Sequence, residues 1–150
     1  GHRAVIRDAV AADLPVIAEL IRALADYERM ADEVVWAEAD LGRHLFGPEP
    51  AAHVLMAVAD DGAVAGFALW FRSFSTFLGR PGVWLEDLFV RPEHRGAGHG
   101  RALLDALRQR TDGRVEWNVL DWNEPSIRFY DALGARPLPG WITYRWLPEG

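Results

Sequence analysis

Apolar positions along this chain change their period several times, and each change predicts an element. Val16, Ile17, Leu20, Ile21 and Leu24 recur at three- and four-residue steps, which predicts an amphipathic helix over residues 14–25. Asp13 stands at its cap position, and Pro15 falls in the first turn, where a missing N–H does no harm. A shorter helix is predicted over 38–46, ended by Gly47-Pro48. Val5-Ile6-Arg7 reads as a first strand and 54–59 as an apolar run of strand length. Asp60-Asp61-Gly62 predicts a hairpin turn, with 63–71 as the returning strand. Residues 73–82 read as a loop closed by Gly79-Arg80-Pro81-Gly82, followed by a third long strand over 83–90. Leu103, Leu104 and Leu107 give a helix over 101–110 one apolar side. A strand over 115–120, a helix over 125–133 stopped by Gly134, and a last strand over 142–147 complete the chain. An antiparallel start followed by strand–helix–strand units predicts a mixed sheet with helices on both faces.

Length and composition narrow the function. The chain has 150 residues and no repeat or linker, so a single domain over 1–150 is expected. The net charge of -6 argues against nucleic-acid binding, which needs a basic footprint, and is compatible with a cationic substrate. There is no cysteine, which removes disulfides, thiolate metal sites and a cysteine nucleophile, and fits a cytoplasmic location. No run approaches the roughly 18 apolar residues of a membrane helix, and no signal peptide is visible, so no membrane partner is expected. The five histidines do not suggest a metal: His94 and His99 are off the usual ligand spacings.

The chemistry concentrates in Arg95-Gly96-Ala97-Gly98-His99-Gly100, between a predicted strand and a helix. Alternating glycines let backbone N–H groups converge on a pyrophosphate, the helix start adds positive potential, and Arg95 can add a charge-assisted contact. No Gly-Lys-Ser/Thr follows, so this is not a Walker loop, and the third glycine comes one residue early for a dinucleotide fold. This loop, after a strand ending Leu88-Phe89-Val90-Arg91-Pro92, resembles the acetyl-CoA loop of the GCN5-related N-acetyltransferases (GNAT). Three further segments resemble the diamine (spermidine/spermine) and thialysine branch: Ala25-Asp26-Tyr27-Glu28-Arg29-Met30, Trp84-Leu85-Glu86-Asp87-Leu88-Phe89-Val90, and Trp122-Asn123-Glu124-Pro125-Ser126-Ile127-Arg128-Phe129-Tyr130.

The resemblance implies an α/β fold of the α+β type, with a central, mostly antiparallel sheet of six to seven strands. It implies acetyl-CoA as co-substrate, no metal, a small primary amine as acceptor, and a homodimer. Gly96, Ala97, Gly98, His99 and Gly100 would hold the pyrophosphate with Arg95. The backbone of Leu88, Phe89 and Val90 would face the thioester, and Asn123 and Ser126 would contact CoA. Both of the last two also suit a helix start. Tyr130, on its helix alone an ordinary core aromatic beside Phe129, becomes the general acid toward the leaving sulfur. Glu86 becomes the candidate base, with Asp87 on the opposite face if the strand is regular and elsewhere if it carries a bulge. Glu28, Glu33 and Trp141 would border the acceptor. With no acyl-enzyme nucleophile in view, direct attack is expected. Two alternatives are a peptide acetyltransferase, which needs an open groove, and a non-catalytic CoA sensor, which needs neither Glu86 nor Tyr130.

Overall fold

Strand alternation sorts the apolar residues of the middle of the chain onto two faces of one sheet. The computed structural model describes residues 4–149. Described residues up to Asn118 form one compact unit, and those from Val119 onward form a second.

In the first unit, β1 (Val5–Asp8), β2 (His53–Val58), β3 (Val64–Ser75), β4 (Arg80–Val90) and β5 (Val115–Trp117) lie in that order across the sheet. The first four pair antiparallel, and β5 pairs parallel to β4. Val54 and Met56 of β2, Phe67 and Leu69 of β3 and Phe89 of β4 form one cluster with Ile17, Leu20 and Leu24 of α1 (Leu14–Tyr27) and Leu45 of α2 (Glu38–Phe46). Each such side chain fully buried contributes about 1.5–3 kcal/mol, which pins the two helices to this face. Leu55, Ala57 and Ala68 alternate to the other face. There α3 (His99–Arg108) packs across β1 to β4 and buries Leu103, Leu104 and Leu107.

Several expectations need correction. Asp13 stands at the N-cap of α1, but its side chain makes no capping hydrogen bond to that helix. Its carboxylate accepts two hydrogen bonds from the Arg7 guanidinium, at 2.7 and 2.9 Å, and one from the Val10 N–H at 2.8 Å. The Arg7 bond is the main reason its carboxyl sits below the usual range. Residues 73–82 are not a loop. Ser73, Phe74 and Ser75 pair with Gly82, Pro81 and Arg80, and the turn shrinks to four residues, 76–79. Gly82 sits in the strand because a Cβ there would stand 2.5 Å from the Arg114 carbonyl oxygen. It marks a close approach of two backbones, not a break.

The expected count of six to seven strands is five among the described residues. β5 stops at Trp117 because its ladder with β4 covers only Val83 to Leu85. The expected last strand over 142–147 carries no ladder. Its alternating apolar residues lie exposed, Ile142 at 82%, Tyr144 at 90% and Trp146 at 100%. Alternation shows that a segment can be a strand, but not that a sheet edge receives it.

In the second unit, α4 (Glu124–Ala132) opens with the Asn123 side chain accepting from the Ser126 N–H at 3.3 Å and with Pro125 in its first turn. It ends at Gly134, whose φ of +88° is the left-handed conformation a helix stop uses.

Candidate active site

The site is organised by one extra residue in β4. Leu69 pairs with Asp87 and its neighbour Trp70 pairs with Leu85, so Glu86 has no partner on β3 and the strand bulges there. The bulge changes which way the side chains face. Leu85 pairs with Trp70 on the α3 side of the sheet, whereas Asp87 pairs with Leu69 on the α1 side. Asp87 therefore turns toward the end of α1, where Glu28 follows Tyr27 as the C-terminal cap.

Three carboxylates act on one another there. Asp87 is half-buried, and burial first, then Glu86 and Glu28, push its carboxyl up to about 7. Glu28 is also raised, chiefly by burial and then by Glu86. Glu86 remains exposed and accepts a hydrogen bond from the Trp84 indole N–H at 3.1 Å. Like charges drawn together at a half-buried position raise the cost of ionisation, and a bound cation relieves that cost. Glu33, expected beside Glu28, lies in an exposed 3-10 turn and is not among the groups that shift Asp87.

Beyond Leu85 the β4 edge that faces away from β3 has no strand partner among the described residues. Leu88, Phe89 and Val90 lie on this open stretch. At its end the chain enters the glycine loop. Gly96 and Gly98 both have φ of +86°, and no atom lies within 4 Å of where a Cβ would stand. The loop thus presents bare backbone on its open side, just before the first N–H groups of α3. That shape fits a pyrophosphate. Gly100 lies inside the first turn of α3, and Ala97 is exposed between the two left-handed glycines.

Two loop residues turn back on the fold. His99 is the first residue of α3 and is 5% exposed, with its ring edge-on to His94 at 6.1 Å. Its side chain is turned into the fold, so only its backbone can serve a ligand at the loop. Arg95 folds back: its Nε donates to the Val90 carbonyl at 3.0 Å.

In the second unit, Asn123 is buried at the start of α4, with Ser126 half-buried one turn on. Tyr130 is half-buried, its ring 5.4 Å from that of Phe129. Trp141 is exposed. Among the described residues, no group of three or more His, Asp or Glu side chains could hold a metal ion.

Two residues of the site were not singled out from sequence. Trp84 steadies Glu86, and their two-residue spacing on a strand was the available signal. Tyr27 meets Arg95 face-on, and nothing in the local pattern announces a contact between residues so far apart.

The family model described as Acetyltransferase (GNAT) family matches residues 18–135. A thialysine N-epsilon-acetyltransferase of Bos taurus is 35% identical, over 96% of this chain and 92% of that protein. An L-ornithine N5-acetyltransferase of Arabidopsis thaliana is 31% identical, over 97% of this chain and 86% of that protein. Among solved structures, an integron cassette protein from V. cholerae has a TM-score of 0.78 at 25% identity, covering 99% of this chain and 94% of that one.

Proposed function

Because the chain belongs to the acetyltransferase (GNAT) family, and is thus an acetyl-CoA-dependent N-acetyltransferase, we propose that its acceptor is a small cationic molecule with a primary amine: a diamine, a polyamine, or a thialysine- or lysine-like amino acid. The observation that carries this reading is the grouping of Glu28, Glu86 and Asp87, whose mutual repulsion an ammonium group would relieve. The thialysine and ornithine substrates in the relatives' names are cations of this kind.

The amine must lose a proton before it attacks, and a lysine-like ammonium has a pKa near ~10.4. We assign that proton to Asp87, whose carboxyl at about 7 suits a base at neutral pH. Glu86 and Glu28 then hold the cation, Glu86 being steadied by Trp84. The gap of about 3 pK units costs roughly 4–5 kcal/mol. That cost falls before attack, and the second proton, lost by the nitrogen once the C–N bond has formed, balances the one that the leaving sulfur takes up. Backbone N–H groups at Leu88 to Val90 are suited to the oxyanion, and the loop from Arg95 to Gly100 to the pyrophosphate. Asn123 and Ser126 are assigned to CoA and Tyr130 to the leaving sulfur, on the Asn-Glu-Pro-Ser segment they share. The whole chain acts as one catalytic domain in this reading.

Thiol release from acetyl-CoA, measured against diamines, polyamines, thialysine, lysine, ornithine and short peptides, tests the acceptor class. Release with the small cations and not with the peptides is expected. Release with peptides alone would overturn the assignment.

We also propose that two copies associate, using the apolar segment from Trp141 to Leu147. Its exposure supports this. Sedimentation at micromolar protein is expected to give a dimer, and a monomer throughout would refute it.

A further inference from the structure

Amine acetylation needs two substrates in place at once, and one side chain touches the elements assigned to both. Arg95 opens the glycine loop. Its guanidinium lies over the Tyr27 ring at 5.4 Å and over the Phe89 ring at 5.7 Å, with Nε held by the Val90 carbonyl. Its terminal nitrogens, Nη1 and Nη2, make no hydrogen bond to a described residue. A guanidinium can stack through its face and bind a phosphate through its edge together, which an ammonium cannot.

Tyr27 is the last residue of α1, and Glu28 follows directly. Next, Arg29 holds a left-handed φ of +61°, and the Met30 N–H closes on the Ala25 carbonyl at 2.8 Å. That conformation is unfavourable for a residue with a Cβ. The turn that presents Glu28 is therefore strained, and the Tyr27 ring is a lateral contact between it and the loop.

We propose that Arg95 clasps the end of α1 to the cofactor loop through Tyr27, so that Tyr27 is a positioning residue for Glu28 and acetyl-CoA binding raises the affinity for the acceptor. The inference rests on the reading above, in which the loop takes the pyrophosphate and Glu28 helps to hold the ammonium. A phosphate at the guanidinium edge fixes the plane on which Tyr27 rests. By linkage, the acceptor raises the affinity for the cofactor by the same factor. An exposed cation–π contact corresponds to a roughly two- to fivefold change in an equilibrium constant.

Hydrogen–deuterium exchange with and without CoA tests this on the full chain. In the wild type, CoA is expected to slow exchange at residues 95–100 and also at 26–33. Tyr27→Leu should keep the first effect and lose the second, while Tyr27→Phe, which retains the ring face, keeps both. In steady state, Tyr27→Leu should raise the acceptor KM about two- to fivefold at saturating acetyl-CoA, with kcat moving less than KM. Protection of 95–100 without protection of 26–33 in the wild type would refute the clasp alone. So would equal protection of 26–33 in wild type and Tyr27→Leu. No protection of 95–100 in the wild type would refute the loop's cofactor role, and the clasp with it.

Discussion

Tyr130→Phe is expected to lower turnover about 100-fold while leaving the affinity for CoA within about twofold, because general acid catalysis is worth roughly 10²- to 10⁴-fold. The low end applies for a chemical reason. A phenol has a pKa near ~10 and a thiol near ~8.5, so the phenol is the weaker acid by about 1.5 units. It helps most by hydrogen-bonding the sulfur as charge builds, before the proton moves. Phenylalanine keeps the ring that meets Phe129 at 5.4 Å, so the helix should hold its packing. Single-turnover thiol release together with CoA titration separates the two quantities. Unchanged turnover would take Tyr130 out of the mechanism, and a parallel loss of CoA affinity would make it a binding residue instead.

Asp87→Asn is expected to lower kcat by about 100-fold or more and to stabilise the protein at alkaline pH. The carboxyl is raised from 3.8 to about 7 in the folded chain. Between those values the folded state holds a proton that the unfolded state has released. Stability therefore falls as pH rises from about 4 to about 7, and is flat above. Asparagine has no proton to hold. Variant and wild type should melt alike near pH 4, and the variant should be about 1–3 kcal/mol more stable near pH 8, discounted for the partial exposure of the group. That corresponds to a rise of several degrees in Tm for a chain of this size. Glu28, raised in the same direction, leaves a residual slope. In the wild type the rate should climb as pH passes about 7, since Asp87 accepts a proton only when ionised. Melting curves with the same pH dependence in both proteins would show that the carboxyl is not raised. A turnover unchanged in the variant would return the base role to Glu86.

These two residues also show what was legible in the sequence. The helical periods located α1 and α2 to within two residues, because buried Ile17, Leu20 and Leu24 had to share one face. The glycine loop was legible because its backbone shape demands that composition. The face of Asp87 was not, since a bulge depends on how two strands align and leaves no mark on either alone. The residues at 73–82 misled for a related reason: glycine and proline signal irregular backbone, and Gly82 instead answers a neighbouring backbone far along the chain. Arg95 was read as a phosphate ligand from its place in the loop, while its stacking on Tyr27 joins residues that only tertiary structure brings together. Local chemistry can be read from neighbours in sequence; facing and long-range contact cannot.

The bulge at Glu86 also bears on how this strand can vary. Alternation along a strand behaves like parity, and the extra residue reverses it between Leu85 and Asp87. Substitution of Glu86 alters one charge. Deletion of Glu86 would remove the bulge and make Leu85 and Asp87 neighbours, which still pair with Trp70 and Leu69 and still face opposite sides. The bulge thus adds one side chain, Glu86, outside the β3 ladder, while the facing of Asp87 and Phe89 is held by their own partners Leu69 and Phe67.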